Sequence, residues 1–257
     1  MMEFINNYTF AVTIIFIVLS TLIAAFIRRR KRDKCLKDFA DCMTTIEDTT
    51  GKTIWGRLSV ENTGLEFVYS QKHEDADGHI ETSYILYKHE YAKIAAMIRY
   101  HDQLSESNKK RREEKLRKTY HPTFLRRLKR RVLNIFKMVR DSVMEVVNML
   151  ISQARKVTPA AGVLKTQDKY VSQMKQELMG AVGTSYEPLL EKYIGHKVVL
   201  EMVKGDKILE YSGVLKEYTA DFLELMDVNY RPKPDEPGRI ADLIVLRKYG
   251  LVRHLGE

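Results

Sequence analysis

Gly51-Lys52-Thr53 are the three residues that close a phosphate-binding loop, so the first chemistry to test in this chain is nucleotide binding. Such a loop needs a glycine five residues earlier, because the intervening backbone N–H groups must wrap the phosphates, and it needs a helix after the Thr. That position holds Ile46, and residues 54–60, IWGRLSV, read as a strand of β-branched and aromatic character. Gly51 is therefore expected to be a hairpin turn, with Lys52 facing solvent. A second cluster, His73, Asp75, Asp77 and His79, offers imidazole and carboxylate ligands at every second position. Asp77-Gly78 is a strong hairpin-turn pair, and a turn is the better reading of that loop. The chain has no nucleophile elbow, no paired zinc-ligand motif and no glycine-rich dinucleotide turn. No enzymatic activity, cofactor or metal is expected.

What remains chemically is positive charge in two places. Arg28, Arg29, Arg30, Lys31 and Arg32 form one basic run, and residues 109–131 hold twelve Lys/Arg against two Glu. The formal net charge is +9, so the rest of the chain is net negative. That distribution argues against a surface that grips nucleic acid throughout. The expected partners of Arg28–Arg32 and of Arg126, Arg127, Lys129, Arg130 and Arg131 are anionic: a membrane surface first, nucleic acid as the less favoured choice.

The elements that must position these charges begin with YTFAVTIIFIVLSTLIAAFI, residues 8–27, twenty residues without a charge. As a helix this run is about 30 Å long, the thickness of a hydrocarbon core. The basic residues follow it, so the expectation is a single transmembrane helix with residues 1–7 outside and the chain from Arg28 onward in the cytoplasm, at the inner membrane. Residues 28–40 would be a basic juxtamembrane segment. Cys35, within it, and Cys42, just beyond it, have no partner pair elsewhere, and reduced thiols are expected.

Residues 41–88 read as a first β-module of about four strands, punctuated by Asp48-Thr49-Thr50-Gly51 and Glu61-Asn62-Thr63-Gly64. From His89 the period changes: Tyr91, Ile94, Ala95 and Ile98 recur at three and four, and residues 89–156 are expected to be helical. Within them Phe124–Arg155 carries a wide apolar stripe, including Leu125, Leu128, Val132, Ile135 and Val139, behind a basic front. Such a helix fits a membrane surface, a coiled coil between copies, or packing on its own domain. Residues 157–165 are a linker, and residues 166–257 are a helix followed by a second β-module.

The two modules echo each other. Gly205 follows VVLEMVK as Gly51 follows TTIEDTT. Superposing these glycines pairs Ile46 with Leu200, Glu47 with Glu201 and Ile54 with Ile208. Three extra residues in the later copy then pair Gly56 with Gly213 and Leu58 with Leu215. Gly51, Gly56, Gly205 and Gly213 are thus expected to be structural turn or bend glycines.

The later copy, from EPLLEKYIGHKVVL through SGVLKEY to the closing apolar strands, resembles the Sm-like family over residues 187–255. The resemblance implies a short helix, a small five-stranded barrel and, in family members, rings that bind uridine-rich RNA. The RNA-reading Asp and Asn of that family would fall at Thr219 and Leu223, and Arg247-Lys248-Tyr249-Gly250 is only loosely like the closing motif, so the base pocket is not expected here.

The expected fold class is therefore α+β: an N-terminal transmembrane helix and two small all-β, Sm- or SH3-like modules separated by a helical region. The expected function is a membrane-anchored, oligomeric scaffold or adaptor that self-associates and holds a protein partner. The alternatives are a tethered nucleic-acid binder and a channel-associated subunit with an Sm-like ring.

Overall fold

The structure is a computed structural model that describes residues 32–74, 77–120, 186–205, 207–232 and 236–256, with isolated helical positions at 18, 19, 22 and between 128 and 142. Helix α1 (Lys34–Phe39) leads into β1 (Met43–Asp48), β2 (Thr53–Val60), β3 (Gly64–Glu74), β4 (Ile80–Tyr87) and β5 (Ile94–Tyr100). Helix α2 (Glu106–Tyr120) follows. Helix α3 (Pro188–Lys192) then opens a second set, β6 (Lys197–Lys204), β7 (Lys207–Tyr218), β8 (Phe222–Tyr230), β9 (Arg239–Leu246) and β10 (Gly250–Leu255).

All ten strands belong to one antiparallel sheet, in the order β10-β6-β7-β8-β9-β5-β1-β2-β3-β4. Each half has the same internal order, its fifth strand beside its first and its fourth strand at the far side. The local chemistry repeats as well. Asp41 and Gly195, each just after the leading helix, both take positive φ. The Asp41 N–H donates to Leu58 O at 2.8 Å, and the Gly195 N–H donates to Leu215 O at 2.7 Å. Gly51 and Gly205, with φ of +86° and +60°, turn the first hairpin of each half. At Gly51 the Asp48 carboxylate accepts from the N–H groups of Thr50 and Lys52, which closes the turn. Gly56 and Gly213 lie where the next strand crosses closely: a Cβ would stand 2.8 Å from Val68 O in one and 2.8 Å from Met226 O in the other.

The halves meet strand to strand. β5 pairs with β9, with Met97 opposite Ile244, Ile98 opposite Leu243 and Arg99 opposite Asp242. Both faces of this junction are buried. Ala96, Ile98, Tyr100, Ala241, Leu243 and Val245 enter the core of the C-terminal half. Ile94, Met97, Ile244 and Leu246 enter the other core, with Leu36 and Phe39 of α1 and Leu58, Val60, Leu65 and Phe67. Each such fully buried aliphatic side chain contributes about 1.5–3 kcal/mol by leaving water.

Three expectations are corrected. The β strands are not two separate modules flanking a helical region but one ten-stranded sheet, because residues 94–100, expected as helix, are the strand that joins the halves. A strand buried on both faces is apolar at successive positions, and IAAMI imitates a helical stripe. The expected α+β fold with a transmembrane helix is likewise not found: among the described residues no helix is long and apolar enough to cross a membrane. Of residues 8–27 only Val18, Leu19 and Leu22 are described, and the single-pass, inner-membrane placement that rested on that helix is corrected with it.

The crossing glycines make a direct test. Gly213→Ala places a methyl against the Met226 carbonyl and the Val228 side chain, and should lower the stability measured by urea unfolding by about 1–3 kcal/mol. Lys52→Ala, in the exposed Gly51 turn, should change it by no more than about 0.5 kcal/mol.

Candidate functional site

The junction strands carry, inside otherwise apolar runs, one cation and one anion. Arg99 and Asp242 face each other across β5 and β9, and both are buried. The Arg99 guanidinium donates through Nη2 to Asp242 Oδ2 at 2.7 Å and through Nη1 to the Asp38 backbone carbonyl at 2.9 Å, while its plane covers Phe39. Asp38 belongs to α1, which is started by Asp33 accepting from the N–H groups of Cys35 and Leu36. Arg112, on α2, donates to both oxygens of Asp242, at 2.8 and 2.9 Å, and also meets Asp227. His101 Nε2 lies 2.9 Å from Asp242 Oδ1.

A second layer continues the cluster. Asp38 pairs with Lys115 of α2 and with Lys216 of β7, and the Lys216 ammonium also donates to Glu224 of β8 at 2.8 Å. Burial by itself would raise the Asp242 carboxyl, but hydrogen bonds from His101 and Arg112 and the charge of Arg99 outweigh it and hold the group well below the ordinary carboxylate range. Asp38 follows the same pattern, burial being outweighed by a hydrogen bond from Glu224 and the charges of Lys216 and Arg99. Glu224 goes the other way: burial pushes it well up, against the pull of Lys216 and with the Asp38 carboxylate adding to the rise. Burial also raises the Cys35 thiol, so that residue is an inert core group. Cys35 and Cys42 are both free and buried.

His101, Asp227 and Asp242 are grouped closely enough to hold a metal ion. Here the carboxylate oxygens of Asp242 already accept from Arg99, Arg112 and His101, so the grouping is an ion-pair network. Further polar ties join the halves: Tyr230 OH donates to buried Glu47, which also pairs with Lys204, and Arg239 stacks on Tyr100 while pairing with Asp102 at 2.7 Å.

The sequence-based site residues are placed as follows. Arg28, Arg29, Arg30 and Lys31, and Arg126, Arg127, Lys129, Arg130 and Arg131, lie outside the described residues. Arg32 is exposed and pairs with Glu61 at 2.9 Å. Leu128, Val132, Ile135 and Val139 are helical and exposed. Part of the basic segment 109–131 is directed inward: Arg111 binds the Ala40 carbonyl, Arg112 binds Asp242 and Asp227, and Lys115 binds Asp38. His73 sits on β3 and Gly78 turns the β3–β4 hairpin with φ of +81°. Sequence reasoning missed Arg99, Asp242, Asp38, Lys216 and Glu224. The available signal was a lone Arg in IAAMIRY and a lone Asp in RIADLIVL, opposite charges within apolar strands.

Comparison with protein-family models, with curated proteins and with solved structures finds no match for the chain.

Removing one partner of the buried pair leaves the other charge uncompensated. Asp242→Asn, which leaves both Arg99 and Arg112 without their carboxylate, should therefore cost about 3–5 kcal/mol in urea unfolding. The pH dependence has a definite sign. Asp38 and Asp242 are depressed in the folded state, so their stabilisation is complete above the ordinary carboxylate value near pH 4 and is lost as pH falls below it. Glu224 opposes this, its contribution being present at low pH and lost as pH rises through its raised folded value. Thermal melts from pH 5 to pH 2 should show a steep fall in the parent protein and a shallower one in Asp242→Asn.

Proposed function

We propose that the chain is a non-catalytic scaffold that self-associates, built from two Sm-like halves in tandem. The observation that carries this reading is the β5–β9 pairing: the fourth strand of one half and the fifth strand of the other form an interface inside the chain, and the same two kinds of strand, β4 and β10, end the sheet. A surface that has already been used once within the molecule is suited to repeated use between molecules. The contact is head to tail, so it propagates into a closed ring or an open chain of copies.

The residues that would read RNA bases in an Sm-like pocket favour the scaffold over a base-specific binder. Leu223 is buried in the C-terminal core, and Thr219 is engaged locally, its hydroxyl accepting from Phe222 N–H and its carbonyl accepting from Arg247. The cations of α2 that point inward neutralise the chain's own carboxylates and add nothing to phosphate binding. A protein partner held on the assembled copies completes the proposal.

Light scattering coupled to size exclusion tests it. The expected result is a mass that is a multiple of the chain mass at micromolar concentration and falls on dilution. A single chain mass at every concentration overturns self-association.

A further inference from the structure

The internal junction specifies which surfaces a second copy would use. At the junction, one half supplies its fifth strand, β5, together with its leading helix α1, and the other supplies its fourth strand, β9. At the ends of the sheet the counterparts each have a strand on one side only among the described residues: β10, beside β6, with helix α3 at one end, and β4, beside β3, at the other. The hydrogen-bonded registers equate positions. Leu251 and Val252 face Glu201 and Leu200 in β6, as Ala96 and Met97 face Glu47 and Ile46 in β1. Leu86 and Ile85 face Leu65 and Glu66 in β3, as Val245 and Ile244 face Leu223 and Glu224 in β8.

The equivalent residues differ in what covers them. Ile244 is 0% exposed and Ile85 is 53% exposed. Cys35, on α1, is 0% exposed, and Leu189, its counterpart on α3, is 66% exposed. Tyr87 adds to the apolar surface of β4. That strand, IETSYILY, has one charged residue, Glu81, and neither Lys nor Pro to blunt an open edge.

Resting on the self-association proposed above, we infer that β10 and α3 of one copy dock on β4 of a second copy in the register of the β5–β9 junction. Val252 then lies opposite Ile85 and Leu251 opposite Leu86, and Leu189 joins the apolar cluster around Ile85. The partner is a second copy because the complementary surface is on the same chain. Ser83 stands in β4 at the place that Asp242 takes in β9, so the joint between copies has no counterpart of the buried ion pair. Its facing pairs, Val252 with Ile85 and Leu251 with Leu86, are apolar, so added salt weakens it less than it would a joint built on an ion pair.

Full-length Ile85→Cys protein is mixed with full-length Val252→Cys protein and oxidised. The mixture should give covalent dimers that neither variant gives alone, since Cys35 and Cys42 are buried. Leu189→Glu and Ile85→Lys should each weaken self-association by at least about tenfold, with far-UV circular dichroism and melting temperature unchanged because both positions are exposed. If copies associate but the mixture does not crosslink, or if both variants associate as the parent does, this interface is wrong while the scaffold reading stands. A monomer at every concentration removes both.

Discussion

Two strands that are buried on both faces decide the architecture. β5 and β9 each send alternate side chains into a different core, so neither half can close without the other's strand beside it. Placing Arg99 opposite Asp242 at this position has a large desolvation cost, which the geometry offsets by giving both groups several partners. The pair also fixes register: a slip of one residue would leave both charges buried against apolar neighbours. Helices α1 and α2 are then held on the sheet through Asp38, Lys115 and Arg112, residues whose charges converge on this one place.

The repeat makes the junction intelligible. In each half a leading helix ends at a positive-φ residue, a glycine turns the first hairpin, and a second glycine lets the next strand pass close by. These are backbone requirements, which explains why the shared pattern is strongest at Gly51 and Gly205 and at Gly56 and Gly213, and weak elsewhere. The side chains diverge where the environments diverge. Cys35 is enclosed by the other half and Leu189 is not; Ile244 lies between two strands, whereas Ile85, among the described residues, has a strand on one side only.

Much of each half was legible in the sequence, and the connection between halves was not. The glycines and the Asp48 turn announce hairpins because only certain residues tolerate those conformations, and the strands between them alternate with period two. β5 gave the opposite impression: Ile94, Ala95 and Ile98 look like one helical face only because Ala96 and Met97 between them are buried as well. The basic segment misled in a related way, since counting charge in 109–118 does not tell which cations already have carboxylates. Arg111, Arg112 and Lys115 are directed inward while Lys110 and Arg117 are exposed, a division set by the position of α2 over Asp41, Asp242 and Asp38. The network residues belong to elements distant in sequence, and pairing them requires the sheet order.

β5 and β9 thus form the shared core of one cooperative unit. Native-state hydrogen exchange resolved along the chain tests it most directly. The amides of Ala96–Tyr100 and Ala241–Val245 should be the slowest to exchange and should open together, in a step that exposes both halves at once. Independent exchange of the two halves, with β5 or β9 losing protection while the rest of its half stays closed, would contradict it.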